Sequence, residues 1–311
     1  MKHQTAFREA DDGHELFVHN WAPDDPTRVR AALHIVHGMA EHAGRYARFA
    51  EALVDHGFAV SADDHRGHGR TGQRAGELGI FAEENGWERV LKDLHLHMEA
   101  LQKEWPDRPL FLFGHSMGSY ITQNFIIESG SMLRGAILSG TSGKPSFVAG
   151  LGRWILRAER LRLGKHGKSA LAKALSFDTF NKKFKPNRTE FDWLSRDEAE
   201  VDKYIADELC GFEVSTQLWI DLLDAIARIN QADLQRRIPK ALPILIIAGE
   251  KDPVGEEGRS VRALIEAYQE AGLTQVTSIF YPDARHELLN EINRDEVTQD
   301  ILDWLEKRLG S

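Results

Sequence analysis

Short apolar runs alternate along this chain with longer segments in which apolar residues recur every three or four positions. A half-exposed strand is predicted where apolar and polar residues alternate, at 14–20. Buried strands are predicted by the continuous apolar runs at 31–36, 58–62, 110–114, 135–140, 243–249 and 277–281. Helices are predicted by the spacing at 46–56, 84–104, 117–129, 258–272 and 287–309. This alternation predicts an α/β fold, with a mostly parallel central sheet and helices on both faces.

The span from 143 to 239 interrupts that alternation, because it has mostly helical spacing and no convincing strand. We therefore expect residues 1–142 and 240–311 to form an α/β core into which residues 143–239 are inserted as a helical cap. A chain of 311 residues can bury a core large enough to need no disulfide or metal. Its one cysteine, Cys210, cannot form an intramolecular disulfide, and we expect a small buried side chain.

The formal net charge of −9 argues against general binding to nucleic acid. The N-terminal residues contain no apolar run of signal-peptide length. No window approaches the run of about 18 apolar residues that is typical of a transmembrane helix. These features predict a soluble, cytoplasmic protein.

Positive charge is concentrated in one part of the expected cap. Between Arg153 and Arg188 there are eleven Lys or Arg against two acidic residues, a local net charge of +9. A helix there would separate two faces, an apolar one with Leu151, Trp154, Ile155, Ala158 and Leu161 and a basic one with Arg153, Arg157 and Arg160. This pattern predicts contact with an anionic membrane or a phosphate-bearing substrate, unless the basic face is simply solvated.

Residues 114–118 read Gly114-His115-Ser116-Met117-Gly118 and lie between a predicted strand and a predicted helix. The pattern G-x-S-x-G alone is weak evidence. In this context it resembles the nucleophile elbow of the α/β-hydrolase fold, a sharp turn that exposes a serine hydroxyl. The two glycines have a steric reason, because a strained turn packed between strand and helix has no room for a Cβ. Ser116 is therefore the candidate nucleophile.

A serine hydroxyl needs a base within hydrogen-bonding reach and a carboxylate that orients that base. In this fold the order along the chain is serine, acid, histidine. Two histidines follow Ser116, namely His166 and His286. His286 comes just after the last predicted strand, whereas His166 lies in a basic run of the expected cap. His286 is therefore the candidate base.

The acid is expected in the loop after the preceding strand. Asp252 is favoured over Glu250 there because it lies further into the loop. Asp283, three residues before His286, is more typical of a turn residue. We therefore expect Asp252 to orient the base.

Negative charge develops on the carbonyl oxygen during attack, and two backbone N–H groups are expected to stabilise it. One belongs to Met117, the residue after the nucleophile, and the other to Met39, in the loop after the strand at 31–36. No metal or cofactor is expected. The pairs His95/His97 and His65/His68 lack a carboxylate constellation, and two residues two apart on a helix point to different faces.

Four motifs in this order resemble those of the monoacylglycerol lipases and related lysophospholipases, which are serine hydrolases of the α/β-hydrolase superfamily. They are HGMAEHAGRY at 37–46, DHRGHG at 64–69, GHSMG at 114–118, and the late acid and base, Asp252 and His286. The resemblance covers about residues 15–140 and 243–300 of the chain. One departure is Ser119, where many relatives have glycine. The resemblance implies an esterase or lipase with a movable cap over an acyl tunnel.

We therefore expect a carboxylic-ester hydrolase that cleaves monoacylglycerol-like or other single-chain lipid esters through an acyl-enzyme. The alternatives are a lysophospholipase or general carboxylesterase, a proline-type aminopeptidase with an acidic patch for a free amine, and a catalytically idle binding module. Aromatic residues of the cap either line an apolar pocket or form a small core of their own; they are Phe147, Trp154, Phe177, Phe180, Phe184, Phe191 and Trp193.

Overall fold

A computed structural model describes residues 1–144 and 147–310, which form one sheet of eight strands and the helices around it. The strands are β1 (Lys2–Glu9), β2 (Glu15–Ala22), β3 (Ala31–Val36), β4 (Phe58–Asp63), β5 (Leu110–His115), β6 (Gly135–Ser139), β7 (Ile244–Gly249) and β8 (Val276–Tyr281). The helices of the first half are α1 (Ala47–Asp55), α2 (Gly69–Ala75), α3 (Gly86–Glu104), α4 (Met117–Ser129), α5 (Phe147–Leu163) and α6 (Ala170–Leu175). Those of the second half are α7 (Phe177–Lys182), α8 (Glu198–Ala206), α9 (Thr216–Ile229), α10 (Ala232–Gln235), α11 (Arg259–Glu270) and α12 (Arg294–Leu309).

The strand order across the sheet is β1-β2-β4-β3-β5-β6-β7-β8. β2 pairs antiparallel with both β1 and β4, and the six strands from β4 to β8 are parallel to one another. The predicted mostly parallel sheet is therefore confirmed. Because parallel strands end at the same edge, the loops after β3, β5, β7 and β8 meet there.

Both faces of the sheet are covered by helices, as predicted. Alternate residues of the central strand β5 show this, since Leu112 packs with residues of α3, α4 and α9 while Phe111 and Phe113 pack with residues of α1 and α12. Every residue of β5 is buried. A strand buried on both faces has the continuous apolar sequence that predicted it.

Three elements differ from the prediction. β1 was not predicted because it is an edge strand whose residues are almost all exposed, so it carries no apolar alternation. α2, which begins at Gly69 at the end of the DHRGHG motif, was not predicted as a helix. The prediction of a single helix at 287–309 is wrong at its start, because a short 3₁₀ turn at Leu288–Asn290 precedes α12.

The chain between β6 and β7 contains α5 to α10 and, among its described residues, one isolated bridge between Lys168 and Ser215 instead of a strand. Two of its aromatic residues, Phe177 and Trp193, do both things considered above, because they belong to a small apolar cluster and also line the cavity beside Ser116. The side chains of Phe147 and Leu151 lie outside the described residues. The assignment of this span as a separate cap stays a prediction. Within the described residues, every helix is too short or too polar to span a lipid bilayer.

Candidate active site

Ser116 lies at the sharp turn between β5 and α4. Its backbone has φ +51° and ψ −120°, a conformation that costs a non-glycine residue about 1–3 kcal/mol. The backbone N–H of Ser116 donates to the carbonyl oxygen of Ser139 at 2.9 Å, which ties the turn to the end of β6. The side chain is half-buried and lines a cavity. The turn therefore presents the hydroxyl at the edge of the sheet.

The two glycines of this turn allow close packing of α4 on the sheet. A Cβ at Gly118 would overlap the carbonyl oxygens of Val36 and His37 at the end of β3, and a Cβ at Gly114 would overlap Thr122 in α4. Only glycine fits at either position without moving the helix away. This packing brings the start of α4 next to the loop after β3.

Asp252 and His286 come together at the same edge of the sheet. Asp252 follows β7, His286 follows β8, and Asp252 Oδ2 lies 2.9 Å from His286 Nδ1. Both side chains are buried. Burial by itself lowers the pKa of His286, but the charge of Asp252 and its hydrogen bond outweigh burial and raise that pKa above 6.5. The pair can hold a proton on Nδ1 and leave Nε2 as the basic nitrogen.

The competing residues lie elsewhere. His166 is exposed and contacts Glu77 and Glu83, at 2.5 Å and 2.6 Å. Asp283 is exposed in a turn, and the half-buried Glu250 faces Arg262 at 3.6 Å. None of them replaces Asp252 beside the imidazole of His286.

One cavity of about 240 Å³ is lined by three of the predicted site residues. Ser116, Met39 and His286 line it, while Asp252 lies behind His286. Its other walls are mainly apolar side chains from the chain between β6 and β7: Phe177, Phe191, Trp193, Leu194, Phe212, Val214 and Trp219. Charged side chains, Lys173, Asp178, Glu190 and Glu213, also reach it.

The two predicted oxyanion donors are available. Within residues 1–144 and 147–310, the backbone N–H groups of Met39 and Met117 donate to no protein acceptor. A Cβ at Gly38 would lie 3.2 Å from Ser116 Cβ, so the Met39 loop runs directly beside Ser116. An oxygen developing negative charge at Ser116 would therefore find two unused donors close by.

Sequence reasoning missed a buried ion-pair network behind these loops. Glu41 Oε1 accepts from the N–H of Gly38 at 2.6 Å, and Arg45 reaches Glu41 at 2.6 Å and Glu287 at 2.7 Å. Burial raises the pKa of Glu287, but Arg45 outweighs burial and holds it at about 2. Glu41 and Arg45 lie in the HGMAEHAGRY segment, which was the available signal; nothing in the sequence paired them with Glu287.

One group in the described residues has donor types that bind metal ions, namely His42, Asp207 and the half-buried Cys210. Their donor atoms lie within 4.8 Å of one another. Both nitrogens of His42 are engaged, since Nδ1 accepts from the N–H of Gly44 and Nε2 lies 2.9 Å from Asp207 Oδ2. An imidazole that accepts at Nδ1 carries its proton on Nε2, where it has no lone pair for a metal. The arrangement fits a hydrogen bond better than a metal site.

Comparisons with known proteins show which family and which solved structures this chain resembles. The family described as "Serine aminopeptidase, S33" matches residues 27–293. Monoglyceride lipase of Mus musculus is 29% identical over 297 residues, which cover 91% of this chain and 86% of the lipase. Monoacylglycerol lipase of Mycolicibacterium smegmatis is 28% identical and covers 93% of this chain and 92% of its own length. A carboxyl esterase from Bacillus coagulans, solved with glycerol, has a TM-score of 0.91, 27% identity and 99% coverage of both chains.

Proposed function

The chain belongs to the serine aminopeptidase S33 family of the α/β-hydrolase superfamily, and from this premise we propose that it is a serine esterase for monoacylglycerol-like or other single-chain lipid esters. The observation that carries the proposal is the Asp252–His286 pair at one wall of an apolar cavity that Ser116 also lines. The relatives named as monoglyceride lipases support the substrate class.

The proposed reaction gives each of these groups a distinct role. Ser116 Oγ attacks the ester carbonyl while His286 Nε2 takes its proton, and Asp252 holds the tautomer and offsets the imidazolium charge. The N–H groups of Met39 and Met117 stabilise the oxyanion, and each such donor contributes about 3–4 kcal/mol in the transition state. His286 then returns the proton to the leaving alcohol. Water, activated by the same imidazole, releases the fatty acid from the acyl-enzyme.

Replacement of the nucleophile tests the mechanism. Ser116→Ala should lower kcat for a para-nitrophenyl ester by about six orders of magnitude, because attacking oxygen and acyl-enzyme are both lost. A fluorophosphonate probe should label the wild-type protein and leave the variant unlabelled. Ser119→Ala is a matched control, since Ser119 Oγ is already engaged with the Ser116 carbonyl at 2.6 Å. Equal rates for wild type and Ser116→Ala would remove Ser116 from the mechanism.

The substrate class is tested with a panel that includes the alternatives. We expect faster cleavage of monoacylglycerols than of lysophospholipids, simple esters or aminoacyl amides. An aminopeptidase requires carboxylates for a free amine. Among the carboxylates that line the cavity, Glu41 and Glu287 are already paired with Arg45, and Glu190 is paired with Lys173. Faster cleavage of aminoacyl amides would overturn the lipid-ester assignment and favour the activity in the family's description. Absence of turnover with every substrate of the panel would favour a binding module.

We also propose that the chain between β6 and β7 acts as a cap that contacts an anionic lipid surface. Trp154 and Leu161, seven residues apart on one face of α5, are 70% and 87% exposed. Arg153 and Arg157 both pair with Asp224, which neutralises part of the basic charge of this region. We expect apolar insertion and the remaining positive charge to contribute together to binding.

Vesicle sedimentation tests the lipid contact. At low salt we expect tighter binding to vesicles of phosphatidylcholine with phosphatidylglycerol than to phosphatidylcholine alone. The double variant Trp154→Ser and Leu161→Ser should bind several-fold more weakly. Ile292→Ser is the control, because Ile292 is also an exposed apolar residue but lies before α12. Equal binding to both vesicles would contradict the anionic preference.

A further inference from the structure

Ala40, which follows the proposed oxyanion donor Met39, has an unusual backbone. Its φ is +55°, in the left-handed region that costs an L-residue about 1–2 kcal/mol. The residue is buried, and its methyl group belongs to no exposed surface. A strained, buried residue beside a reacting group persists only when its surroundings hold it in place.

The groups that hold Ala40 come from the chain between β6 and β7. The carbonyl oxygen of Ala40 accepts two hydrogen bonds, from Tyr204 Oη at 2.9 Å and from the N–H of Gly211 at 2.9 Å. Tyr204 lies in α8, and Gly211 lies in the loop that follows α8. Asp207, between them, lies 2.9 Å from His42 Nε2 in the same segment of the core. Three contacts thus fix residues 40–42 against the α8 region, by which we mean residues 194–211.

The surroundings of the Tyr204 side chain hold its hydroxyl in the hydrogen bond to Ala40. The guanidinium of Arg45 lies 4.8 Å from the centre of the Tyr204 ring, and the Phe191 ring lies 5.1 Å away. The side chain is buried, and burial raises the pKa of its hydroxyl well above 10. A neutral phenol held in this way donates one hydrogen bond in a fixed direction.

We infer that Tyr204 is a positioning residue for ester hydrolysis, which acts by holding the Ala40 carbonyl so that the Met39 N–H points at the oxyanion. This role rests on the function proposed above. The α8 region is then part of the catalytic scaffold in addition to being a cover over the cavity. It also reaches the base, since the carbonyl of Leu194, four residues before α8, accepts from the N–H of Glu287 at 2.8 Å.

Tyr204→Phe tests the role with the smallest change. The variant keeps the ring that packs on Arg45 and removes one of the two donors to Ala40. Complete loss of an oxyanion donor costs about a hundredfold to a thousandfold in kcat. Loosening the loop while Gly211 still holds it should therefore lower kcat by about tenfold. Acylation and deacylation both pass through an oxyanion, so both should slow equally and KM should change by less than about twofold.

A transition-state mimic separates positioning from loss of stability. Phenylboronic acid accepts the Ser116 oxygen at boron and places a charged tetrahedral centre beside the Met39 N–H. Its inhibition constant should rise by about the same factor as kcat falls. Tyr281→Phe is the matched control, because Tyr281 is also buried and donates one hydrogen bond, to Asp300 at 2.9 Å in α12. It should lower the melting temperature as much as Tyr204→Phe does and leave kcat and boronate inhibition unchanged.

The outcomes distinguish this role from the proposed function. Turnover that depends on Ser116 and is unchanged by Tyr204→Phe would overturn the role of Tyr204 and leave the esterase assignment standing. A rise in KM with unchanged kcat would likewise overturn it, because it would make Tyr204 a substrate contact. Turnover that survives Ser116→Ala would overturn both.

Discussion

The proton held by His286 is controlled by the residues immediately around its ring. Burial lowers the pKa of His115 to about 3, and the charge of His286, whose ring lies 4.8 Å away, lowers it in the same direction. The hydrogen bond to Asp252 raises the pKa of His286 instead. Two adjacent imidazoles whose pKa values are pushed in opposite directions leave only one to act as base near neutral pH.

The pH dependence of catalysis follows from that difference. His286 must be neutral to accept the Ser116 proton, and its pKa is raised above 6.5, so kcat/KM should fall as the pH drops through a value above 6.5. Asp252→Asn removes the charge that raises this pKa and leaves the burial that lowers it. The acid limb should then move to lower pH, while the maximal rate falls by about ten-thousandfold.

A carboxylate close in sequence provides the control for this profile. Asp283→Asn changes an exposed turn residue three positions before His286, and asparagine tolerates its φ of +59°. Its pH–rate profile should match that of the wild type. An acid limb that moves to higher pH in Asp252→Asn would show that Asp252 does not set the charge of His286.

At the scale of elements, Arg45 joins the loop after β3 to the loop after β8. It makes two hydrogen bonds to Glu287, both at 2.7 Å, and one to Glu41. All three side chains are largely excluded from solvent. A buried carboxylate left without its partner is destabilising, so the network keeps the Met39 loop and His286 at a fixed separation.

Removal of Arg45 should destabilise the fold in a pH-dependent way. Arg45→Met leaves two buried carboxylates unpaired and should lower the free energy of unfolding by about 3–5 kcal/mol near neutral pH. In the wild type the pKa of Glu287 is about 2, below its ordinary 4.5. The ionised carboxylate therefore stabilises the fold above pH 4.5, and this contribution is lost as the pH falls towards 2. In the variant that pKa rises, so the difference from wild type should shrink on acidification.

Urea unfolding at several pH values measures this difference. Arg30→Met is the control, because Arg30 pairs with Glu306 at an exposed site and should contribute less than about 1 kcal/mol. A loss in Arg45→Met no larger than in Arg30→Met, or one that grows on acidification, would contradict the bridging role of Arg45.

The sequence predicted the elements that bury a continuous or periodic apolar face. The run at 31–36 became β3 with the same bounds, whereas the exposed strand β1 left no comparable pattern. Chain order and local context also indicated Ser116, Asp252 and His286, because each follows a strand at one edge of the sheet. That part of the site depends on topology, which the apolar pattern encodes.

The contacts that support the site depend on tertiary packing instead. Tyr204 meets Ala40 across 164 residues of chain, and Arg45 meets Glu287 across 242. Neither pair has a local spacing that could be detected in one sequence. The strained φ of Ala40 was equally hidden, since alanine carries no preference for the left-handed region.

For the molecule as a whole, two parts of the chain between β6 and β7 differ in how they are attached. The part that includes Leu194, Tyr204 and Gly211 is hydrogen-bonded to the loops that carry Met39 and His286. The part that includes α6 and α7 consists of two six-residue helices, with the exposed apolar residues Leu171 and Leu175 on α6. The first part therefore belongs mechanically with the core, and movement that admits a substrate should be concentrated in the second.

Hydrogen exchange followed by mass spectrometry can detect this division. Helices of six residues are only marginally stable by themselves, so amides of α6 and α7 should exchange through local opening at a lower free energy than those of α8. The buried helix α4 serves as the slow reference. Tyr204→Phe should speed exchange in α8 and in residues 38–42 while leaving α4 unchanged, because one of the contacts joining them is gone. Exchange in α8 as fast as in α6 and α7 would show that this region is too mobile to hold the Ala40 carbonyl, and the oxyanion loop would then have to be positioned by Glu41 and Arg45 alone.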